Sequence, residues 1–242
     1  MMTRAAAIVA ILALALPLGA DALSDLRAAL AARFAGQQPL RAHVELHRSR
    51  HASGRFITDD FEGSAAADVE QDGSELRMRV ARPLLKHAAE DDWAHQLDPH
   101  HDEGTVHAVA ELVPESVAGI IDFAPELERF LGRARLVAPR SPRMLVIDLP
   151  PSTGSSDLGS ISFREDRLTL WLGADGLPVS AQRVRKGSAG ILFIHIESTR
   201  TERWSLAAHG DHLLVTRLDD ASVVNGPGER GEARTIWTVS AQ

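Results

Sequence analysis

The chain has no cysteine and no tyrosine, and aromatic residues make up only 5% of it. Without cysteine there is no disulfide framework, no thiol nucleophile and no cysteine for lipid attachment. Stability must come from a hydrophobic core, and a chain of 242 residues is long enough to bury one. So few aromatic rings argue against a carbohydrate site that works by stacking. There is no dense cluster of lysine and arginine, and the formal net charge is −7. Such a chain is a poor electrostatic partner for nucleic acid or an anionic lipid surface, so nucleic-acid binding is rejected. Catalytic signatures are also missing. There is no Gly-x-Ser-x-Gly elbow, no His-Glu-x-x-His and no glycine-rich phosphate loop running into a helix.

What is present begins at the N-terminus. Arg4 precedes an uncharged apolar run, residues 5–18, and Ala20-Asp21-Ala22 follows. A basic start, an apolar core and an Ala-x-Ala site describe a cleavable secretory signal over residues 1–22. The run is shorter than the roughly 20 residues a membrane span needs. A single arginine argues against a twin-arginine signal. Residues 23–242 are then expected as one soluble domain outside the cytoplasm, in the periplasm if the source has two membranes. It is not expected to be an integral membrane protein.

Hydrophobic periodicity sets the fold class. Leu23, Leu26, Leu30 and Phe34 recur at helical spacing, with Ser24 as a cap and Gly36 as a stop. Ala42, Val44 and Leu46 then alternate with Arg41, His43, Glu45 and His47, which reads as a half-buried strand. Residues 55–62 and 64–70 continue as strands. Asp72-Gly73 turns the chain into Leu76, Met78 and Val80. Residues 82–107 are polar and aperiodic, and read as a loop. Residues 114–131 carry Val117, Ile120, Ile121, Leu127, Phe130 and Leu131, and Pro125 divides them into two short helices.

Residues 144–149 read as a central strand and residues 150–159 as a loop. Strands follow, with Leu168, Leu170 and Leu172 alternating. Turns are expected at Asp175-Gly176, at residues 187–190, at His209-Gly210-Asp211, where His212 reads as turn surface, and at residues 225–228. The expectation is an α+β, mostly β domain. A curved antiparallel sheet, an open half-barrel, is covered by an N-terminal helix and a central helical segment.

The amphipathic helix after the signal, the strand running into Arg82-Pro83, and the segment 170–178, a strand with an Asp-Gly turn and a return, together resemble the periplasmic lipoprotein carriers of the LolA/LolB-like superfamily. The stretches 171–184 and 226–236 also resemble uncharacterised exported bacterial proteins. The carrier resemblance implies a non-enzymatic carrier or chaperone that holds a lipid or lipoprotein acyl chain in the hollow of the sheet, with no cofactor. The walls would be Leu26, Leu30, Phe34, Leu76, Met78, Val80, Val117, Ile120, Ile121, Leu127, Phe130, Leu131, Leu168, Leu170 and Leu172.

Two other readings stand beside it. His95, His100, His101 and His107, with neighbouring acids, supply nitrogen and oxygen donors that suit zinc. Alternatively the core is filled, and the domain serves structure or a protein partner. Paired acids such as Asp59-Asp60, Asp91-Asp92 and Asp219-Asp220 read as surface charge, because neighbours on a strand point to opposite faces.

Overall fold

A computed structural model describes residues 18–36, 38–54, 59–98, 101–141, 143–156, 159–191 and 194–242. The described residues form five helices and eleven strands. In chain order these are α1 (Leu18–Arg33), β1 (Leu40–Gly54), β2 (Asp59–Asp72), β3 (Glu75–Val80), α2 (Arg82–Leu97), α3 (Gly104–Glu111), α4 (Pro114–Ile121), α5 (Ala124–Gly132), β4 (Leu136–Ser141), β5 (Met144–Asp148), β6 (Ser152–Ser156), β7 (Gly159–Leu172), β8 (Pro178–Ile191), β9 (Ile194–His209), β10 (His212–Gly226) and β11 (Glu229–Ala241). All strands belong to one antiparallel sheet in the order β3-β2-β1-β11-β10-β9-β8-β7-β5-β4, with β6 paired to the far end of β7. The sheet is curved and does not close, which is the expected half-barrel.

Its edges are short. β3 and β4 have six residues each, and β4 contains Pro139, which lacks a backbone donor. Short, interrupted edges discourage pairing with another chain. The hairpin turns use glycine where a left-handed backbone is required: φ is +57° at Gly73, +79° at Gly176, +59° at Gly210 and +76° at Gly228.

The concave face carries the core. Leu40, Ala42, Val44 and Leu46 of β1 and Ala65, Ala67 and Val69 of β2 point inward, as do Leu168 and Leu170 of β7. Onto this face pack α1, α4 and α5 through Leu26, Leu30, Val117, Ile121, Leu127 and Leu131. Pro114 and Pro125 each sit in the first turn of their helix, where a missing N–H costs nothing. Helix α3 approaches the sheet closely enough for backbone contact, and the His107 ring stacks on Phe61 of β2 with centroids 4.2 Å apart. A Cβ on Gly63 of β2 would fall 1.9 Å from the Gly104 carbonyl oxygen.

Several segments differ from the sequence expectation. Residues 82–107, expected as loop, hold α2 and α3. α2 buries only Ala88, so it lacks the apolar stripe that marks an amphipathic helix. Its own residues favour it instead, with Pro83 in the first turn and a Lys86–Glu90 pair one turn apart. Ser152–Ser156 is strand β6 rather than loop. Residues 187–190 lie inside β8, which runs to Ile191, and residues 192–193 lie outside the described residues. Gly187 marks a close approach, not a turn, because a Cβ there would fall 2.3 Å from the Ser162 carbonyl oxygen. The strand at 144–149, expected as central, is next to the sheet edge. α1 begins before Ser24. The expected strands at 55–62 and 64–70 are one strand where described; residues 55–58 lie outside the described residues.

Candidate functional site

The strands are longer than the helices that cover them. β1 has 15 residues and so runs about 50 Å. α4 and α5 have eight and nine residues, about 12 and 14 Å. The helices plug one end of the half-barrel, and the sheet continues past them to enclose a hollow of about 810 Å³. That is within the range of small-molecule sites.

Strand register arranges the concave face of the sheet, part of which lines this hollow, in tiers. The first tier is apolar: Leu46, Trp237, Leu218, Trp204, Ala181 and Leu170 follow one another across β1, β11, β10, β9, β8 and β7. Phe123 and Phe130 from the helices close over it, with ring centroids 5.3 and 6.4 Å from Trp204. Two residues further along each strand, the same inward parity gives Arg48, Thr235, Asp220, Glu202, Arg183 and Leu168. The third tier is Arg50, Ala233, Ser222, Arg200, Arg185 and Asp166. The fourth returns to small and apolar residues: Ala52, Gly231, Val224, Ser198, Gly187 and Phe163.

The charged tiers are stitched by diagonal pairs between neighbouring strands. Arg183 donates from Nε and Nη2 to the two oxygens of Asp166 at 2.7 and 2.6 Å, with Asp166 completely shielded from solvent. Arg200 grips Asp220 in the same two-pronged way. Arg185 donates from Nη2 to Glu202 at 3.0 Å, while its buried Nε has no acceptor among the described residues. Arg48 donates to Glu111 of α3 and so ties that helix to the wall. Two guanidiniums also lie on rings: Arg183 is 4.8 Å from the Phe130 centroid and Arg185 is 5.0 Å from that of Phe163.

Burial raises the Glu202 carboxyl above its ordinary value, and Arg185 and Arg200 only partly pull it back. A carboxyl raised in the folded state contributes stability that is fully present below its unfolded value, 4.5, and lost as pH rises through the folded value. Glu202→Gln removes this titration. Urea midpoints of the variant should therefore gain on those of the wild type as pH rises above 4.5. A difference that stays constant over that range would show that Glu202 is not raised.

The expected ligand wall is placed differently. Of the apolar residues named from the sequence, Ile120 and Phe130 line the hollow. Leu26, Leu30, Phe34, Val117, Ile121, Leu127, Leu131, Leu168 and Leu170 are buried in the core. Leu76, Met78, Val80 and Leu172 are half-buried and packed against it. Sequence reasoning misses the charged tiers. Their signal is strand parity: the period that puts Ala42, Val44 and Leu46 inward also puts Arg48 and Arg50 inward.

The histidines collect at the α2–α3 junction around two acids. Asp91 takes His87 at 3.6 Å and His101 at 3.5 Å. Glu103 takes His107 at 3.0 Å and His95 at 3.8 Å. Among the described residues no group of three or more such side chains is arranged to hold a metal ion, and His100 lies outside those residues. Asp219 and Asp220 do separate to opposite faces, Asp219 on Arg234 and Asp220 on Arg200.

His212 is buried, not turn surface: it is 1% exposed, and Nε2 lies 2.6 Å from the Gln38 carbonyl oxygen, a bond the imidazole N–H donates. Nδ1 lies 3.8 Å from Asp122, whose carboxyl is raised by burial and only partly drawn back by His212. This clasp joins the α1–β1 connection to the α4–α5 junction.

Among the described residues no helix is long and apolar enough to cross a membrane. The fold and its hollow define a class, an open antiparallel half-barrel plugged at one end by helices. No protein-family model matches the chain, and no curated protein matches its sequence.

Proposed function

We propose that this is an exported envelope protein that holds a lipid or lipoprotein acyl chain in the open end of its half-barrel, as a carrier or chaperone and not as an enzyme. The observation that carries the reading is the hollow of about 810 Å³ with an aromatic and aliphatic floor of Ile120, Phe123, Phe130, Trp204, Leu218 and Trp237. A chain laid on such a floor gains about 0.8 kcal/mol per buried methylene. The charged tiers above the floor make the site amphiphilic, so the occupant carries a polar end.

The signal-like residues 1–22 support export, and residues 1–17 lie outside the described residues. The half-barrel plugged by helices is in keeping with the proposed kinship to the LolA/LolB-like carriers. The lining speaks for a ligand site over a filled core. The clustered histidines, each bound to a shared acid, give no comparable support to a metal site.

The test is a native mass spectrum of protein made with its own leader and purified without detergent, compared with a denatured one. The expected result is a chain starting at Leu23 that carries a discrete extra mass, released on denaturation and identified as an amphiphilic lipid. A bare polypeptide that also takes up no lipid from mixed vesicles would overturn the carrier reading. A chain that keeps residues 1–22 would overturn cleavage of the leader.

A further inference from the structure

Helix α2 stands apart from the rest of the surface. It meets chiefly α3, and it buries only Ala88. Five large apolar side chains are exposed among the described residues, and three of them, Leu85, Trp93 and Leu97, sit on this one helix. With the exposed Ala89 they recur at every fourth residue, so they form one row along its outer side. The row turns by about 40° at each step, and Arg82, Lys86 and Gln96 lie along it. It is therefore not the compact stripe of a core-facing helix. Trp93 is 64% and Leu97 68% exposed. Single apolar residues scattered over a surface need no explanation, but a row of them anchored by a tryptophan marks an interaction surface.

Charge is divided along the same helix. Arg79 stands just before it, and Arg82 and Lys86 lie in its first half. Asp92 lies past its middle, Asp98 at its end and Asp102 beyond it, and all six side chains are exposed. Of the other acids, Glu90 takes Lys86 at 3.4 Å, while Asp91 and Glu103 hold histidines.

A second copy running the opposite way matches both patterns at once. The row is symmetric about position 91: Leu85 and Leu97 lie six residues to either side of it, Ala89 and Trp93 two. Turned end for end about that point, Trp93 of each copy meets the small Ala89 of the other, and Leu85 meets Leu97. The same turn lays the basic end of one helix on the acidic end of the other and opposes the two helix dipoles. A two-fold pair is built on a self-complementary patch of this kind. The short, interrupted sheet edges offer no comparable entry by strand pairing.

We infer that the outer row of α2 is a self-association surface, on which a second copy of this chain docks with its own α2 antiparallel. Among the described residues no side chain of α2 lines the hollow, so docking and ligand binding use separate surfaces. The inference goes beyond the ligand reading and stands or falls without it. One helix face is a small interface, so the dimer is weak and reversible, with a dissociation constant on the order of 1–100 μM.

Sedimentation equilibrium of protein purified without detergent, loaded from below to above that range, is the test. The mass should rise with concentration from one chain to two and no further, because a two-fold contact closes on itself. Trp93→Asp and Leu97→Asp should each weaken the dimer at least about tenfold, with the unfolding midpoint of the dilute protein unchanged. Either variant suffices if the other does not fold. Arg82→Glu and Asp98→Arg should each weaken it too. An equimolar mixture of those two should associate like the wild type, because each copy then supplies the charge its partner lacks. A mixture that does not recover rules out the antiparallel arrangement. A dimer that survives both apolar variants lies on another face. A protein that stays a single chain throughout overturns the inference. If that single chain floats with phosphatidylcholine vesicles, and Trp93→Asp does not, the row faces a lipid surface instead.

Discussion

Replacing Asp166 with leucine should destabilise the protein by about 3–5 kcal/mol, as expected for removing one partner of a buried ion pair. Asp166 is wholly buried, and both its carboxylate oxygens accept from Arg183, itself only 10% exposed. Removing the acid leaves a guanidinium in a wall it cannot leave, because Phe130 covers it on one side and Glu202 stands 3.8 Å away on another. Arg183→Met alone should cost a similar amount by stranding Asp166. The double variant, Asp166→Leu with Arg183→Met, should recover most of the loss, since it removes both desolvation costs at once. Urea denaturation of the four proteins at pH 7 gives the coupling directly. Additive losses would mean that the two side chains do not act as a pair, and the tier description of the wall would have to be withdrawn.

The second large effect separates the core from the hollow. Leu127 is wholly buried on α5. Leu127→Asp puts an unpaired carboxylate into the packed interior and should leave no cooperative unfolding transition at pH 7. Leu127→Ala should remain folded with a loss of about 2–5 kcal/mol. Ala233 projects from β11 into the hollow, between Arg50 of β1 and Ser222 of β10 in the sheet register. Ala233→Trp should occupy that space with an unfolding midpoint close to that of the wild type and an extra native mass sharply reduced. An Ala233→Trp protein that keeps its full load of ligand would place the ligand elsewhere. A stable, lipid-loaded Leu127→Asp protein would show that the helix face is a ligand wall after all.

Most of the architecture is legible from period alone. Alternation in residues 41–47 and 75–80, the Asp-Gly turns and the proline that splits residues 114–131 are local signals, and each element stands where its signal places it. The failures share a cause. α2 escapes a periodicity search because it is held by α3 and by its own propensity, and so carries almost no apolar stripe. The alternation of β1 reads as ending at His47 because inward positions beyond it become charged. In the structure the strand runs on to Gly54, and the charges sit inside. Gly187 and Gly190 read as a turn because glycine usually breaks a strand, yet Gly187 is where two backbones meet.

The sequence by itself determined a cysteine-free, mostly antiparallel domain with two apolar helical faces ready to cover a sheet. Those are consequences of composition and of periods along the chain. Only the tertiary structure decided which apolar residues are core and which are floor, because that depends on how far short helices reach along long strands. It also decided that arginines and acids from five strands meet in one wall. Arg48, Asp220, Glu202 and Arg183 are far apart in sequence, and only the strand register sets them side by side.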